Sequence, residues 1–426
     1  MERTLVRELK ENAGKEATLK GRVLNIRALG NVTFVVLQDY SGTIQCVFEN
    51  SPEVKTGDVV EIKGLVKEEK RAKGGFEIQG KGLEVISKTA ELPFDLANPK
   101  LQLQLNTLLD WRTISLRHPK TQAIFKLYDI LLDAYERVMR KEGFTEIKTP
   151  KILEAASEGG ANFFKIDYFE KPAYLAQSPQ FYKQIMVGVF ERVFEIGSTF
   201  RAEPHFTTRH VNEYISLDGE MGFIENFRDI TAMLTKVFGE IFEIMEKEGA
   251  PYLEMWDAKI PEVPKEIPHV KLSEIKKIIK ERYDYQVPEN TDIDPEGERL
   301  AGRYAKEEFK SDFIFITHYP WSEKPFYTMQ SKENPDETEG FDLLFRGMEI
   351  ITGSQRIHDY ETLIENMKKK GVKPEGMEFY LDVFKFGMPP HGGWGLGSER
   401  VIQQILGLPT IKEAILFPRD VKRLKP

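Results

Sequence analysis

The sequence predicts an α+β protein in two parts, a small N-terminal β-barrel and a larger domain built on an antiparallel β-sheet flanked by helices. Three observations carry this. The first 90 residues break into short alternating segments separated by glycine-bearing turns. Two long stretches show the three-to-four spacing of apolar residues that marks amphipathic helices. Strand-like runs beyond residue 150 alternate with helices but lack regular βαβ spacing, which favours an antiparallel sheet over a doubly wound parallel one.

The strands of the first part run over Ala17 to Ile26, Val32 to Gln38, Ile44 to Phe48, Val59 to Val66 and Phe76 to Ile78, then Leu83 to Ile86. Between them, Leu29-Gly30-Asn31, Asp39-Tyr40-Ser41-Gly42, Thr56-Gly57-Asp58 and Lys73-Gly74-Gly75 each offer a glycine that can take positive φ in a tight turn. About five short strands in under 100 residues fit a small closed barrel, and the OB-fold is the most economical choice; it commonly binds single-stranded nucleic acid on one face. Residues 88–112, with Pro93 and Asn98-Pro99, show no clear period. The expected division is a barrel over 1–90, a linker or hinge over 91–115 and the larger domain over 116–426.

Pro119 to Gly143 reads as a helix with Ile124, Leu127, Leu131, Tyr135 and Val138 on one face and Gly143 at its end. It leads into the strand-like Thr145 to Pro150. A second helix is expected over Ile230 to Glu248, with Met233, Leu234, Val237, Ile241 and Met245 inward before Gly249. Strands are expected at Ala173 to Leu175, Arg192 to Ile196, Tyr214 to Met221, Phe313 to Thr317, Phe326 to Met329 and Met348 to Thr352. The charged stretch Lys265 to Asp294 reads as a helical insertion at the surface.

At 426 residues, 41% hydrophobic and 30% charged, the composition is that of an ordinary globular protein of two or three domains. A single cysteine, Cys46, excludes an internal disulfide and a multi-thiolate metal site. No run approaches the roughly 18 apolar residues of a membrane helix, and Met1-Glu2-Arg3-Thr4 lacks the form of a signal peptide. A cytoplasmic protein without membrane association is expected. The net charge of −8 argues against indiscriminate nucleic-acid coating, although the first 100 residues are close to neutral and can carry a basic face.

The seven histidines form no tight metal spacing, and there is neither a Gly-x-Ser-x-Gly elbow nor a Gly-x-x-x-x-Gly-Lys-Ser/Thr loop. Two arginine-bearing signatures stand out instead. The first is Phe200-Arg201-Ala202-Glu203 followed by Thr208-Arg209-His210; the second, about 200 residues later, is Gly392-Gly393-Trp394-Gly395-Leu396-Gly397-Ser398-Glu399-Arg400. Taken alone, the glycines could open a dinucleotide-binding βαβ unit, but only 26 residues follow Arg400. An isolated Arg-Glu pair is most often a solvated ion pair. A third element, Gly347-Met348-Glu349, lies between them.

Together these segments resemble the second and third signature motifs of class II aminoacyl-tRNA synthetases. Over nearly the whole chain the resemblance is to the archaeal and eukaryotic-like aspartyl-tRNA synthetases, through Phe144 to Ile152, Ser157-Glu158-Gly159-Gly160, Ala176 to Gln184, Gly353-Ser354-Gln355-Arg356, Gly387 to Gly393 and Leu416-Phe417-Pro418-Arg419. The resemblance implies a class II catalytic domain, ATP as substrate, Mg²⁺, and a homodimer formed through helix 119–143 and Pro150. It implies the formation of aspartyl-adenylate and pyrophosphate, then transfer to tRNA(Asp). Asparagine-tRNA ligase, or a tRNA-binding paralogue without activity, are the alternatives.

Residue by residue, the resemblance places Arg201 on the α-phosphate and attacking carboxylate and Arg400 on the γ-phosphate, a role that cations suit. ATP contacts fall on Ala202, Glu203, Arg209, His210, Val211, Gly397, Ser398 and Glu399 as well. Glu349 and Thr352 would hold Mg²⁺, which takes oxygen ligands. The aspartate side chain falls to Lys183 and Arg356, with Gln180 and Thr352 near by and Glu158 on the ammonium. A site of two cations rejects the amide of asparagine by opposing donors to donors. On the barrel, Phe34, Gln45 and Arg27 would read the central anticodon base. Leu24 stands where some relatives carry an aromatic that helps exclude tRNA(Asn), which leaves tRNA(Asn) open as a second substrate beside tRNA(Asp).

Overall fold

A computed structural model describes residues 2–72, 74–98, 100–154, 163–204, 207–288 and 292–426, and divides the chain into two compact units, Met1–Thr121 and Gln122–Pro426. In the first, β1 (Glu16–Leu29), β2 (Val32–Gln38), β3 (Thr43–Phe48), β4 (Val59–Glu68) and β5 (Phe76–Ser87) close into a barrel in the order β1-β2-β3-β5-β4. Alternate residues point inward, and Val35, Leu37, Cys46, Val60, Ile62 and Ile78 fill the core. The two segments expected at Phe76 and Leu83 are one strand, because pairing with β4 slips at Gly80–Gly82 and the strand continues past the irregularity. Helices α1 (Leu105–Asp110) and α2 (Arg112–Ser115) follow, with Leu108, Leu109 and Arg112 buried.

Helix α3 (Pro119–Lys141) has the predicted extent, and Gly143 takes φ +81° just past its end. After it come β6 (Thr145–Glu146), a small sheet of β7 (Ile152–Leu153), β8 (Lys165–Tyr168) and β9 (Lys171–Leu175), helix α4 (Gln180–Phe190), β10 (Arg192–Phe200) and β11 (Glu213–Gly222). Helix α5 (Phe227–Trp256) outruns its expected end at Gly249. There the glycine serves packing rather than termination: a Cβ would lie 2.6 Å from Leu127 Cδ2 on α3.

The remaining elements are β12 (His269–Lys271), α6 (Leu272–Tyr283), α7 (Pro295–Phe309), β13 (Phe313–Thr317), β14 (Gly340–Phe345), β15 (Met348–Gln355), α8 (Tyr360–Lys369), α9 (Glu378–Lys385), β16 (His391–Gly397) and α10 (Ser398–Leu406). Eight strands form one sheet in the order β12-β13-β14-β15-β16-β11-β10-β6, antiparallel except for a parallel pair at each edge. The expected surface insertion thus contributes an edge strand. Phe326–Met329 is not a strand but a turn joined to Arg356 by a single bridge at Thr328. One face of the sheet packs on α3 and α5 through Leu127, Leu131, Phe238, Ile351 and Trp394. The other face carries the site.

Candidate active site

A cavity of about 380 Å³ opens on the sheet over β11, β15 and β16. On β16, Gly393, Gly395 and Gly397 share one face, while Trp394 and Leu396 point into the helix-packed core. Gly395 pairs with Asp218 on one side and Thr352 on the other, and Gly393 with Glu220 and Ser354. At Gly393 the Glu220 side chain fills the space, with Oε2 2.2 Å from where a Cβ would lie, whereas at Gly395 and Gly397 the strand is bare toward the cavity. Beneath it, Trp394 is seated beside Gly219, where a Cβ would come within 2.2 Å of the indole. A Cβ on Gly395 would meet protein only at ordinary distance, 3.4 Å from Asp218 Oδ1; the space its absence leaves is cavity floor.

At the inner end, Lys183 lies on the face of α4 that also carries Gln180 and Gln184, all three buried. Its Nζ donates to Asp218 Oδ1 and to Trp394 O, each at 2.9 Å, and stands 3.4 Å from Glu220 Oε2. Arg356 donates from Nε to Glu220 Oε1 at 2.8 Å and from Nη1 to Ser354 Oγ at 2.6 Å, with Gln180 Oε1 3.4 Å from Nη2. Burial works against the charge of Glu220, but Arg356 and Lys183 outweigh it and hold the carboxyl below its usual range. Behind them, Gln184 Oε1 accepts from Gln180 Nε2 and Tyr380 OH, and Gln184 Nε2 meets His391 Nε2 at 2.9 Å. Since His391 Nδ1 must donate to Pro389 O, its Nε2 is the acceptor. Burial pushes that imidazole down to about 4, so it is neutral near pH 7.

At the mouth, Arg201 Nη1 and His210 Nε2 each lie 3.8 Å from a carboxylate oxygen of Glu203, and the Arg201 guanidinium covers the Tyr214 ring. The base of this loop is fixed by Asn212 Nδ2, which donates to Arg201 O at 2.7 Å, and by Ile411 N, which donates to Thr208 O at 2.9 Å. Arg209 is paired with Glu298, and Arg400 donates to Glu349 O at 2.7 Å. Burial would raise the Glu349 carboxyl, but Arg400, Arg209, Lys324 and Arg201 together bring it below its usual range. Asp342, buried beside Thr352 on the neighbouring strand, is pushed up to about 7 by burial and by the charges of Glu349 and Asp292, against the opposing effect of Lys324. Arginines around clustered carboxylates suit a polyphosphate and its counter-cation.

Gln180, Lys183, Arg201, Glu203, Arg209, His210, Val211, Glu349, Thr352, Arg356, Gly397, Glu399 and Arg400 all line this cavity. Ala202 and Ser398 do not; Ser398 is fully buried and donates to Ile215 O at 2.8 Å. Glu158 lies outside the described residues. On the barrel, Arg27 Nη2 donates to Gln45 Oε1 at 3.2 Å, and the Arg27 guanidinium lies over the Phe34 ring, so those three share an outer face. Leu24 falls at an irregularity in β1, between Val23 and Asn25.

Sequence reading missed Asp218, Glu220, Asp342, Glu298 and Lys324. A signal was present for two of them: Ser216, Asp218 and Glu220 put polar groups at every second position of a strand that is otherwise apolar. Among the described residues no group of three or more His, Cys, Asp or Glu side chains could hold a metal by itself, and no helix is long and apolar enough to cross a membrane.

Residues 104–421 match the tRNA synthetases class II (D, K and N), and residues 17–86 match the OB-fold nucleic acid binding domain. The chain is 45% identical to the aspartate-tRNA(Asp/Asn) ligase of Deinococcus radiodurans, covering 100% of this chain and 99% of that protein. It is 40% identical to the aspartate-tRNA(Asp) ligase of Pyrococcus abyssi, covering 97% of each. Among solved structures, it is similar to the asparaginyl-tRNA synthetase of Pyrococcus horikoshii complexed with asparaginyl-adenylate, with a TM-score of 0.93, 31% identity and 100% of both chains covered.

Proposed function

The chain belongs to the class II tRNA synthetases of the D, K and N group, and from that premise we propose that it is an aspartate-tRNA ligase working in the cytoplasm. The observation that carries the choice of aspartate is Lys183, a buried ammonium on the cavity floor 2.9 Å from Asp218 and sharing Glu220 with Arg356. Two fixed cations at the closed end complement a side-chain carboxylate. An asparagine amide would turn NH₂ donors toward donors and leave them unpaired, a mismatch that discriminates by orders of magnitude.

In this reading the α-carboxylate of aspartate attacks the α-phosphorus of ATP, pyrophosphate leaves, and the ribose hydroxyl at the tRNA 3′ end then takes the aspartyl group from the mixed anhydride. Arg201 clamps the α-phosphate and attacking carboxylate, Arg400 and Arg209 meet the outer phosphates, and Glu203 accepts from the adenine amino group. Glu349 and Thr352, with Asp342 paired opposite Thr352 on the neighbouring strand, would hold Mg²⁺. Mg²⁺ bound there offsets phosphate charge. The barrel face of Arg27, Phe34 and Gln45 reads the anticodon, where stacking on an aromatic contributes about 1–3 kcal/mol per base. The protein acts as a homodimer through α3 and the segment ending at Pro150.

The proposal extends to tRNA(Asn), supported by Leu24 and by relatives at 43–45% identity that are ligases for tRNA(Asp/Asn). Aspartate should support ATP-pyrophosphate exchange and asparagine should not; exchange with asparagine alone would overturn the reading. Labelled aspartate should appear on both transcripts. Charging of tRNA(Asp) only would remove the second substrate.

A further inference from the structure

Glu298 belongs to none of the motifs read from the sequence, yet it is tied to two of them at once. Arg209 Nη2 donates to both of its oxygens, at 2.8 and 2.7 Å, and the backbone N–H of Glu349 donates to Oε2 at 2.8 Å. The carboxylate is buried, in the first turn of α7, a helix capped by Asp294 through Gly297 N. The free N–H groups of a helix start favour negative charge there.

Two glycines bring that turn to the site. A Cβ on Gly302 would lie 2.4 Å from Gly347 N, and one on Gly347, whose φ is +76°, would lie 2.9 Å from Arg299 Cα. Helix α7 therefore rests backbone to backbone on the turn between β14 and β15. Side chains at either glycine would lift Glu298 away from Glu349.

We propose that Glu298 is a positioning residue for nucleotide activation, fixing the Arg209 guanidinium and the Glu349 backbone in one frame before ATP binds. The proposal rests on the reading of this cavity as an ATP site. Arginine carries five N–H donors in a rigid fork. With Nη2 held by Glu298, the donors of Nε and Nη1 remain for phosphate oxygens, and the side chain is oriented before ATP meets it.

Aspartate-dependent ATP-pyrophosphate exchange on the full chain tests this. Glu298→Gln keeps the size and an oxygen for Glu349 N–H, but sets a neutral amide against Arg209. KM for ATP should rise about tenfold while KM for aspartate changes less than about twofold. Arg209→Ala/Glu298→Gln should be no worse than Arg209→Ala alone, since the glutamate acts through the arginine. An unchanged KM for ATP, or additive losses in the double variant, overturns the proposal. If the glutamine variant does not fold, Glu298→Asp, too short to span both partners, is read in the same way. Direct titration with ATP separates the two readings. A wild type that exchanges no amino acid sinks the proposed function, whereas a Glu298 variant that binds ATP as tightly as wild type sinks only this inference.

Discussion

The two ends of the cavity differ in how far their cations are withdrawn from water. At the inner end the Lys183 and Arg356 side chains are 3% and 6% exposed and already paired with Asp218 and Glu220. At the mouth, Arg201 is 38% exposed, while Arg400 and Arg209, at 19% and 12%, are paired with Glu349 and Glu298. A charge removed from water must be paired and hydrogen-bonded or it costs several kcal/mol, whereas an exposed one need not be. The inner end is therefore assembled as part of the fold, and its charges cannot be rearranged without unfolding something. At the mouth, Arg201 can adjust when a nucleotide arrives, within a frame that Arg209 and Glu298 already hold. Selection of the amino acid is built in; handling of phosphate charge is built in at Arg209 and left adjustable at Arg201.

The sharpest way to break this contrast is Lys183→Glu. It places a third carboxylate beside Asp218 and Glu220 in a dry site, and removing one partner from a buried pair typically costs about 3–5 kcal/mol. Aspartate-dependent exchange should fall by about 10³-fold or more, and the melting temperature should drop as well. At the mouth, Arg400→Ala should lower exchange by about 10²-fold and leave melting within about 2 °C of wild type, because the lost partner of Glu349 is replaced by water. Comparable loss of stability in both variants would mean the two ends do not differ as described.

Burial alone does not set the state of a carboxylate here, as Glu220 and Glu399 show. Both are buried, but Glu220 is held below its usual range by two cations, while Glu399, with hydrogen bonds from Ile215 N and Tyr128 OH and with Ser398 Oγ 3.0 Å from Oε2, is pushed up by burial to about 7. A folded-state value above the ordinary 4.5 means that the native protein binds the proton more tightly than the unfolded chain. Its contribution to stability is present in full below about 4.5 and is lost as pH rises to about 7. Over that window it amounts to about 3 kcal/mol at most. Glu399→Gln, which mimics the protonated group, should flatten the fall in melting temperature between pH 5 and about pH 7 and melt no lower than wild type at pH 8. An unchanged slope would show that Glu399 is ionised in the native state.

This difference between the two ends also governs what the sequence could disclose. The barrel strands and α3 were legible, because alternation and helical spacing are local properties that burial imposes directly. The arginines of the mouth were legible through their motifs. Lys183 in a short helix has, by itself, the pattern of a solvent-facing lysine, and only the sheet beneath it supplies Asp218 and Glu220. Glu298 was hidden for a similar reason: its partners lie 89 and 51 positions away, and the glycine contact that seats α7 leaves no periodic trace. Gly249 misled in the other direction, since a glycine that permits helix packing looks the same as one that ends a helix.

The smallest expected effect is also the most direct reading of exposure. Mobile ions screen charges in contact with solvent over about 10 Å at 0.1 M salt and reach buried pairs far less. If the mouth gathers ATP with solvated arginines, raising KCl from about 50 to about 300 mM at constant free Mg²⁺ should raise KM for ATP a few-fold. KM for aspartate should stay nearly flat, because Lys183 and Arg356 meet their ligand behind a wall of protein. In Glu298→Gln the salt dependence of KM for ATP should steepen, since an arginine released from its carboxylate spends more of its time in solvent. Parallel slopes for the two substrates in the wild type would place both ends of the cavity in the same dielectric environment and remove the basis for treating them separately.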